Sequence, residues 1–178
     1  MRRDSDRAVQ SFKKAAEAGV PTAQFNLGSC FELGQGVTQD FSSAAKWYKR
    51  AAQQGHSEAQ NNLGLLYQTG RGVQQDALTA LRLYLLAAEK GNPKAAVHLA
   101  QLFRGGAGLK TDHALAYMWL RVAADWGEDV QEALRNEAAS LNESQTIQAS
   151  QRAADWINRH RLNAESPTLT SSIADAVE

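Results

Sequence analysis

Glycine recurs along this chain on a fixed beat. Gly19, Gly55, Gly91 and Gly127 stand 36 residues apart, and so do Gly34, Gly70 and Gly106, then Gly36, Gly72 and Gly108, and the pair Gly28 and Gly64. Twelve of the thirteen glycines obey the spacing, and Gly105 alone is off register. Asp4, Asp40, Asp76 and Asp112 keep the same interval, as do Ala8, Ala44, Ala80 and Ala116, and Leu27, Leu63 and Leu99. The pairs Ala15-Ala16, Ala51-Ala52, Ala87-Ala88 and Ala123-Ala124 follow it too. A fixed period of about 20–50 residues builds a stack of small units, each burying its apolar face against the next.

Each unit reads as two helices. From Ser57 to Gln68 the apolar positions Ala59, Leu63, Leu66 and Tyr67 fall at helical spacing. Gly64 carries no Cβ and lets a neighbouring helix come close, while Gly70-Arg71-Gly72 ends the helix, because glycine takes positive φ beyond a C-terminus at no steric cost. Asp76 is placed to cap a second helix with the stripe Ala80, Leu83, Tyr84, Ala87 and Ala88. Gly91 stops that helix, and Pro93 opens the following one at a first-turn position, as Pro21 does earlier. Trp47, Tyr48, Tyr84 and Trp119 fill the volume between units.

The string from Ala59 through Leu63-Gly64 and Gly70-Arg71-Gly72 to Asp76, followed by Ala80, Leu83-Tyr84, Ala87-Ala88 and Gly91, resembles the Sel1-like repeat. The resemblance covers residues 4 to 127 and departs from the pattern at Ala100, where glycine is usual, and at Gly105-Gly106-Ala107-Gly108-Leu109. It implies a relative of the tetratricopeptide repeat: an all-α protein, an α/α solenoid of about three and a half helix-turn-helix repeats plus a C-terminal capping helix. It also implies adaptor or scaffold activity in protein complexes and supplies no catalytic mechanism.

The array is expected over residues 1–127, capping helices over 128–161 and a disordered tail over 162–178. Asp4 is already in register, so the first helix lacks the partner that should precede it. Either an earlier repeat lies upstream or a short natural N-terminus frays. After Gly127 the beat breaks. A helix over Glu128 to Ala139 should turn Val130, Ala133, Leu134 and Ala138 inward, and Asn142-Glu-Ser-Gln145 has the form of a capping box. The helix it opens carries Ile147, Ala149, Ala153, Trp156 and Ile157, and its segment resembles the helix that closes bacterial Sel1-like arrays.

Composition removes several function classes. Nineteen Lys and Arg balance nineteen Asp and Glu, without the basic excess of a sequence-independent nucleic-acid binder. Cys30 is the only cysteine, which excludes an intramolecular disulfide framework and a cysteine-cluster zinc site. No apolar run spans a bilayer, and no signal peptide is visible at Met1, so the chain as given reads as cytoplasmic and monomeric. A truncated start would leave a periplasmic or secreted location open.

Three Gly-x-Gly loops resemble phosphate cradles, but no strand precedes them, and their register makes them turns between helices. Ser11-Phe-Lys-Lys14 and Ser43-Ala-Ala-Lys46 match the Ser-x-x-Lys motif of penicillin-recognising enzymes at about chance frequency. Ser11 shares its register with Trp47, Leu83 and Trp119 and so reads as a packing position. His56, His98, His113 and His160 form no metal-ligand spacing; His56 reads as a loop residue and His98 as a hydrogen-bonded helix residue. No catalytic residue, metal or cofactor is therefore expected. A hydrolase of the β-lactam-processing type, or a repeat fragment of a longer regulatory protein, are the alternatives; the paired cysteines of Sel1-like proteins described as β-lactamases are absent.

The remaining surface is the concave face, lined by the first helix of each pair. Its stripes are Thr22, Phe25, Ser29 and Glu32; Glu58, Asn61, Leu65 and Gln68; and Lys94, Val97, Gln101 and Arg104. Phe25, Leu65 and Val97 put one apolar residue on each polar stripe, and charge runs from Glu32 and Glu58 to Lys94 and Arg104. That pattern suits a protein or peptide segment bound in one direction.

Overall fold

The structure is a computed structural model that describes residues 2–105 and 109–165, with side chains from 8–105 and 109–160. Nine helices occupy the described residues, with no strand among them: α1 (Arg2–Glu17), α2 (Pro21–Leu33), α3 (Phe41–Gln53), α4 (Ser57–Thr69), α5 (Ala77–Ala88), α6 (Pro93–Phe103), α7 (His113–Asp125), α8 (Gln131–Ala138) and α9 (Glu143–Glu165). The register residues set the boundaries. Asp40 accepts from the Ser42 N–H at 2.9 Å, Asp76 from Leu78 and Thr79 at 3.0 and 3.1 Å, and Asp112 from Leu115 at 2.9 Å. Each satisfies donors that a helix N-terminus leaves unpaired. Hydrogen bonds from the Thr79 hydroxyl and N–H hold the Asp76 carboxyl below its ordinary range. Gly34 and Gly70 close α2 and α4 at φ 68°.

α2 pairs with α3, α4 with α5 and α6 with α7, and each pair packs on the next through α3–α4 and α5–α6. α4 also touches α6 directly, which puts the first helices of the pairs on the inner, shorter-radius side. α7 is closed off by α8 and α9. The core runs the length of the stack. Ala44, Ala51, Ala59, Ala80, Ala87 and Ala88 are buried, as are Leu27, Leu66, Leu99 and Leu102, and Tyr48 and Tyr84 have no exposed surface. Small residues let helix axes approach, and burying each leucine stabilises by about 1.5–3 kcal/mol.

Gly72 ties successive pairs together. It sits at φ 70°, and a methyl group there would land on the Phe41 carbonyl at the start of α3, while Arg71 lies over the Phe41 ring at 5.0 Å. The Gly-x-Gly segment at 70–72 is a turn seated against the preceding pair.

The C-terminal end follows the expected capping box. Asn142 N–H donates to Gln145 Oε1 at 3.0 Å, and Gln145 N–H donates to Asn142 Oδ1 at 2.9 Å. Ala149, Ala153 and Ile157 turn inward from α9, but Ile147 is 50% exposed, contrary to the expected stripe. It lies two residues before Ala149, on the far side of the helix. α9 continues to Glu165, and residues 166–178 lie outside the described residues.

Candidate functional site

The inner side of the first two complete pairs is built around a helical glycine and a buried tyrosine. A Cβ at Gly28 would stand 2.7 Å from the Tyr48 ring, and one at Gly64 would stand 2.7 Å from the Tyr84 ring. Each glycine thus lets a tyrosine ring pack directly against its helix. The hydroxyls then need acceptors. Tyr48 donates to Glu32 Oε2 at 2.5 Å, and Tyr84 donates to Gln68 Oε1 at 2.6 Å. Burial, reinforced at Tyr48 by the Glu32 carboxylate, pushes both hydroxyls above the tyrosine range, so both remain donors at neutral pH. Gln24 and Gln60 repeat another contact, donating to the Ala16 and Ala52 carbonyls at 3.1 and 3.2 Å and tying each pair to the helix before it.

These groups join into a chain of hydrogen bonds. Asn62 Nδ2 donates to the Tyr48 hydroxyl at 3.3 Å, and Asn61 Nδ2 donates to Asn62 Oδ1 at 3.2 Å. His98 Nδ1 lies 2.8 Å from Asn61 Oδ1, and its ring sits 5.0 Å from that of Tyr84. Glu32, Tyr48, Asn62, Asn61 and His98 thereby connect α2, α3, α4 and α6.

The last pair departs at every one of these positions. Ala100 replaces the glycine, Leu120 the tyrosine, Ala96 the glutamine and Arg104 the acceptor. With no hydroxyl to meet, Arg104 reaches across to α8, where its Nε pairs with Glu137 Oε1 at 2.5 Å. Glu137 is 3% exposed, and its other oxygen lies 2.8 Å from His113 Nδ1. A hollow of about 400 Å³ opens beside this pair, lined by Val97, Ala100, Gln101, Arg104 and Leu120, and across from them by Asp129, Val130, Glu132, Ala133 and Asn136. A second hollow, of about 530 Å³, lies on the edge made by the loops within pairs, beside Leu109, His113 and Leu141.

The expected stripe residues divide into three groups. Val97, Gln101 and Arg104 come together at the first hollow. Ser29 and Leu65 are half-buried, Leu65 belongs to none of the core clusters, and Thr22, Glu58 and Lys94 are exposed. The others are committed elsewhere. Phe25 is no open anchor: its ring stacks on His56 at 4.8 Å and meets Tyr48 at 5.7 Å, because the next pair closes over that face of α2. Asn61 is 4% exposed and bonded to His98, and Glu32 and Gln68 hold the tyrosines. The expected charge gradient loses its ends, since Glu32 is bonded to Tyr48 and Arg104 is paired with Glu137. Sequence reasoning missed Glu137 and the glycine–tyrosine–acceptor set, although the joint change at 100, 104 and 120 was there to be read.

The chemical candidates resolve by geometry. Ser43 Oγ donates to Asp40 Oδ2 at 2.5 Å, a helix-cap contact. Ser11 is exposed, not packed. His56 is the N-cap of α4, accepting from Ala59 N–H at 3.4 Å, rather than a loop residue. Cys30 is buried in the core, which raises its thiol above the ordinary value. Among the described residues, no group of three His, Cys, Asp or Glu side chains could hold a metal, and no helix is long and apolar enough to cross a membrane.

The Sel1 repeat family model matches residues 1–20, 21–56, 57–92 and 93–127. Solved structures share the fold, among them these two. A Sel1 repeat protein from Oxalobacter formigenes is 31% identical with a TM-score of 0.69, over 84% of this chain and 64% of that one. The protein c5321, a protective antigen present in uropathogenic Escherichia coli strains and displaying an SLR fold, is 27% identical with a TM-score of 0.78, over 96% of this chain and 38% of that one. This chain therefore spans less than two thirds of either. No curated protein matches it at a significant level. The glycine beat, the stacked helix pairs and the four matched segments agree: this chain belongs to the Sel1 repeat family.

Proposed function

We propose that the inner face of the array binds a segment of a partner protein, and that the chain works as an adaptor or scaffold without catalytic chemistry of its own. Sel1 repeats act generally as protein–protein interaction modules, which sets the class. The observation that carries the choice of face is Leu65. It is a half-buried leucine on α4, outside every core cluster, on the inner stripe that continues to Val97 and Gln101. An apolar side chain left outside the core among polar neighbours gains from being covered.

The test is capture of partners by the immobilised protein, read by mass spectrometry. Leu65→Asp should abolish recovery, because a carboxylate desolvated against an apolar partner is costly, and should cost no more than about 2 kcal/mol of stability, leaving the array folded. Unfolding of the variant would make Leu65 a core residue. Full retention of every partner would move the interface to the outer helices or the loops.

A further inference from the structure

The hollow between α6 and α8 has a composition that the rest of the inner face lacks. In the two preceding pairs this place is filled by a tyrosine lying on a glycine, with its hydroxyl bonded to Glu32 or Gln68. Here Leu120 is shorter and has no hydroxyl, Ala100 replaces the glycine, and the floor is made of Val97, Ala100, Leu120, Val130 and Ala133. Its volume of about 400 Å³ lies toward the lower end of ordinary ligand pockets, roughly 300–1,000 Å³. That is room for side chains, not for a folded domain.

The rim decides what those side chains are attached to. Arg104 is the only cation in the wall, and Glu137 neutralises it at 2.5 Å. Asp129 and Glu132 are exposed and make no hydrogen bond or ion pair with any described residue. Lys94 and Arg135 are the nearest other cations along α6 and α8, both exposed, and neither lines the hollow. The uncompensated charge of the wall is therefore negative. Gln101 and Asn136 are exposed in the same wall, and their amides offer donors and acceptors to a peptide backbone.

We propose that this hollow is the anchoring subsite of the inner face, and that it takes an apolar side chain flanked by Lys or Arg on a segment of a partner protein. The apolar residue packs on Val97 and Ala133, above the buried Ala100, Leu120 and Val130, and the neighbouring cation meets Asp129 and Glu132. The proposal rests on the inner-face reading above and narrows it to one end of the array and one sign of charge.

The experiment uses fluorescence anisotropy with labelled flexible peptides carrying a central Lys-Leu-Lys, Glu-Leu-Glu or Lys-Ser-Lys. The Lys-Leu-Lys peptide should bind, and the other two should bind at least about tenfold more weakly. Ala100→Gly combined with Leu120→Tyr puts back the glycine and the ring of the preceding pairs, with Arg104 still in place of their acceptor, and fills the hollow. That variant should lose about tenfold in affinity while keeping its helical circular dichroism. Asp129→Asn with Glu132→Gln, a surface change that leaves the packing alone, should weaken binding and flatten its salt dependence. Absence of Lys-Leu-Lys binding, equal binding of Glu-Leu-Glu, or undiminished binding by the filled variant would each overturn the proposal. If Leu65→Asp still abolishes partner capture while the filled variant captures normally, the inner-face reading stands and only the subsite falls. If neither variant alters capture, both fall.

Discussion

The α4–α5 pair and the α6–α7 pair descend from one pattern and face different neighbours. The α4–α5 pair has a repeat on both sides. Gly64, Tyr84 and Gln68 make a polar inner contact, and Gln60 binds the carbonyl of the helix before it. The α6–α7 pair has a repeat on one side and the unrelated helices α8 and α9 on the other. Alanine, leucine, arginine and alanine now hold those four positions, and the polar bond moves to the buried Glu137 of α8. The difference teaches that the register positions form a set. Removing the tyrosine hydroxyl removes the reason for its acceptor, and a cation at that position serves the cap instead.

Breaking the regular pairs should have the largest effect. Gly72→Ala puts a methyl group onto the Phe41 backbone at a positive φ, so it should destabilise by about 3 kcal/mol or more, seen as a lowered denaturation midpoint. Next comes the set itself. Gly64→Ala should cost about 2 kcal/mol, because its Cβ would press on the Tyr84 ring at 2.7 Å. Adding Tyr84→Leu recreates the Ala100–Leu120 arrangement and should recover more than about 1 kcal/mol of that loss in a double-mutant cycle; strict additivity would break the comparison. At the cap, Arg104→Gln installs the residue of the preceding pair and leaves Glu137 buried with His113 alone. A loss of about 2 kcal/mol is expected by urea titration, since Arg104 is itself half exposed.

The smallest effect is a pH dependence. Burial, followed by the charge of Lys94, holds the His98 imidazole below its ordinary value of 6.5. The unfolded chain therefore takes up this proton first as pH falls. Stability from His98 is fully present above about pH 6.5 and is lost on acidification. His98→Asn, which places the residue found at Asn26 and Asn62, should flatten the decline of melting temperature between about pH 7 and pH 5. An unchanged profile would show that His98 does not carry it.

The fold was legible in the sequence because glycine, aspartate and alanine pairs sit where backbone geometry leaves little choice. Gly34, Gly70 and Asp76 act locally, and local rules suffice for them. The inner face was only partly legible. Helical spacing assigns Phe25, Asn61 and Leu65 to one surface of their helices but does not say how far the next pair closes over it. That depends on packing between units, which buries Asn61 and stacks Phe25 on His56 while leaving Leu65 half-buried outside the core clusters. Glu137 was illegible for a related reason: its partner Arg104 comes from 33 residues earlier, across a junction where the repeat ends.

The chain of bonds from Glu32 to His98 has a direction. An ionised carboxylate can only accept, so Tyr48 must point its proton at Glu32 and can only accept from Asn62. The Asn62 oxygen then faces Asn61, and the Asn61 oxygen faces the imidazole. The His98 proton is thereby assigned to Nδ1, leaving Nε2 as the lone-pair nitrogen. A carboxylate on α2 selects the tautomer of an imidazole on α6, two repeats away, without touching it.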